Sequence, residues 1–429
     1  MQAQTSLTKF TIKDTQIPII FEHSSLVPTG FMRLTFVGGG SVSDGQHIGI
    51  AGLAARLLNE GTKTLGAIKF SEELDKRAID LSAYKGPDTL NIQLSFLKEK
   101  KEDAIKLLSL LISDINLTDT ALQKVKQDAI NSLLAKENDF DYLANRNLSK
   151  ILFKNTPFSQ KPTAQTIEAI TLENLKDYFA KNLVLSKLVI VLGGDINEKD
   201  TLQILHPTLS LLKTGSTSPS QHFKANPSEE ETILHKETQQ AYIYFGSPFE
   251  LQNLSLESAK AKILGFVLGS SGFGSRLMEE IRVKRGLAYS AYMRINTGKL
   301  INYASGYLQT KLENQEESIK IVREVIANFV KNGITQAELD GAKQFLLGSE
   351  PLRTETLSQR LDRQFFNYYL GLPLDFNKKE LDEIQKINLD EINAYIKKHT
   401  ELNQLSFSIV TAQDNAKQSS QESPDNIKD

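Results

Sequence analysis

No cysteine occurs among the 429 residues, which removes disulfide frameworks, thiolate zinc sites, iron–sulfur clusters and cysteine nucleophiles together. The compartment stays open, because an exported protein need not use disulfides. Long apolar runs are also missing. The most apolar stretch, Leu183 to Leu192, is interrupted by Ser186 and Lys187 and is too short to cross a bilayer. Met1-Gln2-Ala3-Gln4 lead into mixed polar sequence, with neither the basic nor the apolar segment of a signal peptide. A soluble protein is expected, in the cytoplasm, or in the periplasm if a leader has been removed. Neither charge is in excess: 50 Lys plus Arg against 52 Asp plus Glu leave a net charge of -2. No global field draws such a chain to nucleic acid or anionic lipid.

What is present is ordinary globular material, 40% hydrophobic and 24% charged, enough for more than one core. Self-comparison finds a repeat. One constant shift matches Thr118 with Thr335, Leu122 with Leu339, Lys126-Gln127 with Lys343-Gln344, Ile167 with Ile384, Tyr178 with Tyr395 and Leu188 with Leu405. The register does not slip, and the apolar periodicity agrees, so the chain reads as two copies of one domain of roughly 200 residues. Residues 1–213 form the first expected domain and 233–411 the second. Between them, 214–232 is rich in Thr, Ser, Pro and Glu and reads as a linker. Residues 412–429 contain one large aliphatic residue, Ile427, and read as a disordered tail.

Within each copy the hydrophobic period alternates between two and 3.6 residues. Phe31–Phe36 and Ala241–Phe245 read as strands ending at Gly38 and Gly246, followed by helices over Gly49–Leu58 and Ser258–Leu268. A strand over Leu90–Phe96 precedes amphipathic helices at Glu102–Ser113 and Asp119–Lys136, matched in the second copy by Gln315–Lys331 and Gln336–Leu347. Each copy closes with a helix and a strand: Leu172–Lys181 with Leu188–Leu192, and Leu389–Lys398 with Leu405–Val410. Without strict βαβ alternation, this pattern predicts an α+β fold of two homologous domains, each a mainly antiparallel sheet with helices packed on one face.

The string from Gly274 to Ser290, GSRLMEEIRVKRGLAYS, resembles the second-domain signature of the pitrilysin and mitochondrial-processing-peptidase family of zinc metallopeptidases. Pro157-Phe158, Gly193-Gly194-Asp195 and Gly49 to Thr62 support the resemblance, which spans nearly the whole chain. Active members of that family carry His-x-x-Glu-His on a first-domain helix, with a further Glu as third zinc ligand. The resemblance places Gly52 and Arg56 where the two histidines belong, Ala55 where the general-base Glu belongs, and Leu133 where the distal Glu belongs. A guanidinium keeps its charge and repels a divalent cation, so no metal and no other cofactor is expected in this chain. The six histidines, His23, His47, His206, His222, His235 and His399, include no pair at helical spacing.

What the resemblance leaves in place is Arg282 and Tyr289, matching an Arg and a Tyr that reach the bound peptide near the scissile bond. A helix from about Ser275 to Lys284, a left-handed Gly286 and a strand from Ala288 to Met293 are expected to carry them. Ser82, Ala83 and Tyr84 fall on the edge strand that pairs with substrate backbone in active relatives, with Ser82 in place of the usual Asn. The glycine-rich Gly38–Gly40 and Gly269–Gly274 lack the Lys-Ser/Thr of a phosphate loop and read as mobile or closely packed turns. The resemblance implies a non-catalytic, substrate-binding subunit of a heterodimeric zinc peptidase. Its expected partners are a homologue with intact His-x-x-Glu-His, which holds the zinc, and a peptide or unfolded polypeptide. A purely structural subunit and a stand-alone peptide-binding homodimer are the alternatives.

Overall fold

The structure, a computed structural model, describes residues 5–413; of the expected disordered tail, all but Ala412 and Gln413 lies outside them. The first sheet contains β1 (Ser6–Ile12), β2 (Thr15–His23), β3 (Thr29–Val37), β4 (Asp80–Lys85), β5 (Thr89–Leu97) and β6 (Leu188–Gly194), in the order β1-β2-β6-β3-β5-β4. The second contains β8 (Glu231–His235), β9 (Gln240–Pro248), β10 (Ala288–Asn296), β11 (Ile301–Lys311) and β12 (Ser406–Thr411), in the order β10-β11-β9-β12-β8. The short β7 (Phe223–Lys224) pairs with β11. Read from opposite ends, the two orders coincide from β2 and β8 onward, β1 having no counterpart in the second. The parallel pair falls at the same place in both, β2 with β6 and β8 with β12, while the central pairs are antiparallel. This is the expected α+β fold in two copies.

The first sheet shows why its strands form. Ile17, Ile19, Leu34, Ile190 and Leu192 face a core shared with helices Ile50–Leu58, Lys101–Ser113, Asp119–Ala135 and Leu172–Asn182. The alternate residues Ile20, Phe31, Val189 and Val191 face the other way, as the period of two dictates. That second face is also covered, where helices on one face alone were expected. Leu361 and Phe365 of the helix Leu357–Tyr369 pack on it, each burial contributing about 1.5–3 kcal/mol.

Here the expected domain boundaries need correction. The described residues divide into one compact unit of residues 5–135, 155–222 and 346–381, and another of 136–154, 223–345 and 382–413. Each unit therefore takes a helix from the opposite half of the sequence. The helix Phe140–Leu152 places Leu143 and Ala144 against Val410, Tyr242 and Tyr244 of the second sheet. The cause is stoichiometric: a two-faced apolar sheet needs helices on both sides, and each repeat places its remaining amphipathic helix on the other sheet. The proposed linker 214–232 likewise contains β7 and the start of β8. β9 runs through Gly246 to Pro248, because Gly246 pairs with Ser305 and Ser406 inside the ladder.

Candidate functional site

In the first unit, the helix Ile50–Leu58 starts at Gly49, where φ is +102°, and its first N–H groups are met by Asp44, which accepts from Gly49 N at 2.7 Å and Ala51 N at 3.1 Å. The helix packs against the helix Asp119–Ala135, which carries Leu133. Gly52 is half-buried, and a Cβ there would meet no atom of another element within 4 Å. Ala55 is buried and Leu133 packs against the core. Arg56 is exposed and extends its guanidinium to Ser132 Oγ at 3.5 Å. Three of the four residues offer no lone pair and the fourth is a cation, so zinc does not fit this position. Among the described residues, no three His, Asp or Glu side chains come together as a metal-holding group.

Arg282 and Tyr289 belong to the second unit, and the structure brings them together. Ser275 caps the segment, accepting from Met278 N. After Arg276–Met278 the backbone widens to a π-helix over Glu279–Val283, the kind of local widening that often accompanies functional sites. The wider turn changes the cap: Gly286 N–H donates to Arg282 O and Leu287 N–H to Ile281 O, with Gly286 at φ +64°. These are the two bonds of a Schellman end, each reaching one residue further back. The strand that follows opens with a bulge. Ala288 pairs with Thr310 but Ala291 with Leu308, so Tyr289 and Ser290 together face one residue of β11 and Tyr289 is re-aimed.

The result is a stacked cluster. The Arg282 guanidinium lies 4.3 Å from the Tyr289 ring centre and 4.6 Å from that of Phe273. Tyr289 is 81% exposed and Phe273 67% exposed. The nearby carboxylate is engaged elsewhere: Glu280 accepts from Lys284 at 2.5 Å and from Arg285 at 2.5 Å. These two cations hold its carboxyl below the usual range. Among the described residues, Arg282 has ring faces as partners and no carboxylate. Such a guanidinium keeps its N–H donors available at its edge while its faces are held.

Sequence reasoning missed two residues. Phe273 sat inside a segment read for its glycines, and only the folded loop places its ring on Arg282. Asn59, at the end of the helix Ile50–Leu58, bonds β4: its Nδ2 donates to Ala83 O at 2.9 Å and its Oδ1 accepts from Ala83 N at 2.7 Å. Ser82, Ala83 and Tyr84 do lie on an edge strand, since β4 has β5 as its one neighbour in the sheet. Of the two glycine-rich segments, Gly40 and Gly269 are set by close backbone approach, a Cβ falling 2.3 Å from Pro87 O and from Met293 N respectively.

Two copies of one α+β plan, with residues unable to hold a metal at the positions marked by the zinc motif, define a peptidase-like protein without the peptidase's metal site. Comparison with known proteins gives the family. Residues 23–166 match the family "Insulinase (Peptidase family M16)" and residues 169–346 match "Peptidase M16 inactive domain". The chain is 48% identical over 409 residues to the "Non-peptidase homolog YmxG" of Helicobacter pylori, covering 95% of this chain and 94% of that one. It is 24% identical over 385 residues to the "Uncharacterized zinc protease YmxG" of Bacillus subtilis, covering 88% and 92%. Among solved structures, a peptidase M16 inactive domain from Pseudomonas fluorescens superposes with TM-score 0.86 at 23% identity, covering 95% and 98%. A protease from Helicobacter pylori superposes with TM-score 0.79 at 15% identity, covering 95% and 100%. The chain belongs to the M16 peptidase family, as an inactive member. Among the described residues, no helix is long and apolar enough to cross a membrane.

Proposed function

We propose that this chain is the substrate-binding subunit of a heterodimeric zinc peptidase, lending Arg282 and Tyr289 to an active site whose zinc sits on a homologous partner with intact His-x-x-Glu-His. The observation that carries the reading is the half-buried Arg282 stacked on the exposed Tyr289, with no carboxylate on its guanidinium among the described residues, in a chain whose own zinc positions hold Arg56 and Leu133. The chemistry follows from the donors. The Arg282 fork can hold a carbonyl oxygen of a bound peptide, and the Tyr289 hydroxyl can donate to the oxygen that gains charge as the peptide carbon becomes tetrahedral. Neither group cleaves a peptide without a nucleophile from elsewhere.

The test mixes this chain with a motif-bearing homologue and follows cleavage of an unfolded polypeptide. Arg282→Ala and Tyr289→Phe are expected to lower turnover by about 10²–10³-fold, the usual cost of removing a transition-state donor, while complex formation persists. Unchanged turnover would place the chain with purely structural subunits. Tight polypeptide binding by the chain alone, without a partner, would favour a peptide-binding homodimer.

A further inference from the structure

The edge of β4 is already occupied, and its occupant is a side chain. In an antiparallel ladder, alternate residues of an edge strand turn their N–H and C=O groups toward the neighbouring strand and the others turn them outward. Ala83 is one of the outward residues: both of its backbone groups go to the Asn59 amide, which accepts from N at 2.7 Å and donates to O at 2.9 Å. A primary amide presents the same donor–acceptor pair as a peptide unit. The two bonds are therefore those that an added strand would make to this residue. Asn59 is well placed to keep them, because the helix that carries it packs along β4 and Ala83 is buried beneath it.

We propose that Asn59 is a built-in plug of the β4 edge, standing in for the backbone of an extended peptide at Ala83 and keeping that edge closed to strand addition. This deepens the reading above and rests on it: the chain would then touch a bound peptide through Arg282 and Tyr289 and not through its own Ser82-Ala83-Tyr84 strand. Tyr84 is consistent with this. Its hydroxyl lies 3.5 Å from Gln93 Oε1 on the neighbouring β5.

The experiment measures amide exchange at Ala83 in the full chain, with and without reduced, carboxymethylated lactalbumin as an unfolded probe. In the unsubstituted chain, Ala83 N–H is expected to exchange slowly and to be unaffected by the probe. In Asn59→Ala it should exchange about tenfold faster, as befits a lost hydrogen bond, and regain protection when the probe is added. Asn59→Asp keeps the size and the acceptor but loses the donor, so it should fold and yet let the probe in at reduced affinity. Probe-induced protection of Ala83 in the unsubstituted chain overturns the proposal. So does an Asn59→Ala variant, folded by circular dichroism, in which the probe leaves Ala83 unchanged. Failure of the parent reading would show separately, as turnover insensitive to Arg282→Ala.

Discussion

At Arg56 a cation stands on the helix face where a metal would sit, 3.5 Å from Ser132 Oγ and one residue from the position of the lost distal carboxylate. Neutral replacements such as Gly52 and Leu133 only withdraw ligands, whereas Arg56 adds repulsion toward any divalent ion. The loss is still local, since Gly52 borders open space and Arg56 is exposed. Combining Gly52→His, Arg56→His and Leu133→Glu should therefore supply three zinc ligands without disturbing the core helix. The expected outcome is one zinc per chain by metal analysis after dialysis, and none in the same variant with Arg56 retained. Zinc retained by the Arg56-bearing variant would show that the guanidinium swings clear and is no barrier. Gly52, Ala55 and Arg56 could be aligned with the family motif because that motif is contiguous on one helix, whereas Leu133 was reached only through the family's spacing. Asn59 was not, because its importance lies in two bonds to a residue 24 positions away.

The elements around Arg282 depend on one acid. Glu338 caps the helix Gln336–Gly348 by accepting from Thr335 N at 2.7 Å, while Thr335 Oγ1 accepts from Glu338 N at 3.3 Å, a reciprocal capping box. The same carboxylate grips Arg276 through two bonds, at 2.7 and 2.8 Å, and so fixes the start of the segment that ends in Arg282. Burial alone would raise the Glu338 pKa, but Arg276 and Thr335 outweigh it and hold the group below its ordinary value of 4.5. A carboxyl with a depressed folded-state pKa adds stability that is present above the unfolded value and lost as pH falls through the folded one. Glu338→Gln should thus cost about 1.5–3 kcal/mol at neutral pH by urea denaturation. The gap between variant and parent should close below about pH 4.5. A gap independent of pH would mean that packing, not the charge, is what the variant loses. The helix that Glu338 caps was visible in the sequence as an apolar period over Gln336–Leu347. The hairpin of β1 and β2 was not, because its turn uses Lys13 and Asp14 at φ +46° and +62° in place of the Asn-Gly that signals such turns.

On the scale of the whole chain, duplication was legible and exchange was not. A repeat leaves matching letters at a constant shift, but nothing in an amphipathic helix says which of two similar sheets it will cover. The polar contacts suggest how the choice is enforced in the first unit. Arg360 binds Glu22 at 2.7 Å, Asp362 pairs with Arg33, and Tyr369 Oη donates to Asp88 at 2.7 Å. Glu22 is 1% exposed, and a buried carboxylate without its cation costs several kcal/mol. A helix from elsewhere that lacked Arg360 would leave that charge unpaired, so the contacts select as well as attach. It follows that neither half of the sequence is a folding unit. Expressed alone, residues 1–222 keep Glu22, Arg33 and the apolar face of Ile20, Phe31 and Val191 but lack Leu361 and Phe365 to cover it. That fragment should aggregate or unfold with low cooperativity, and adding residues 223–429 in trans should restore a single cooperative transition and a one-to-one complex by size exclusion. With Arg360→Ala in the second fragment, reconstitution should weaken by about 10²–10⁴-fold, which corresponds to the roughly 3–5 kcal/mol of a broken buried pair. A soluble, cooperatively folding 1–222 fragment would instead mean that the first sheet closes its second face without the exchanged helix.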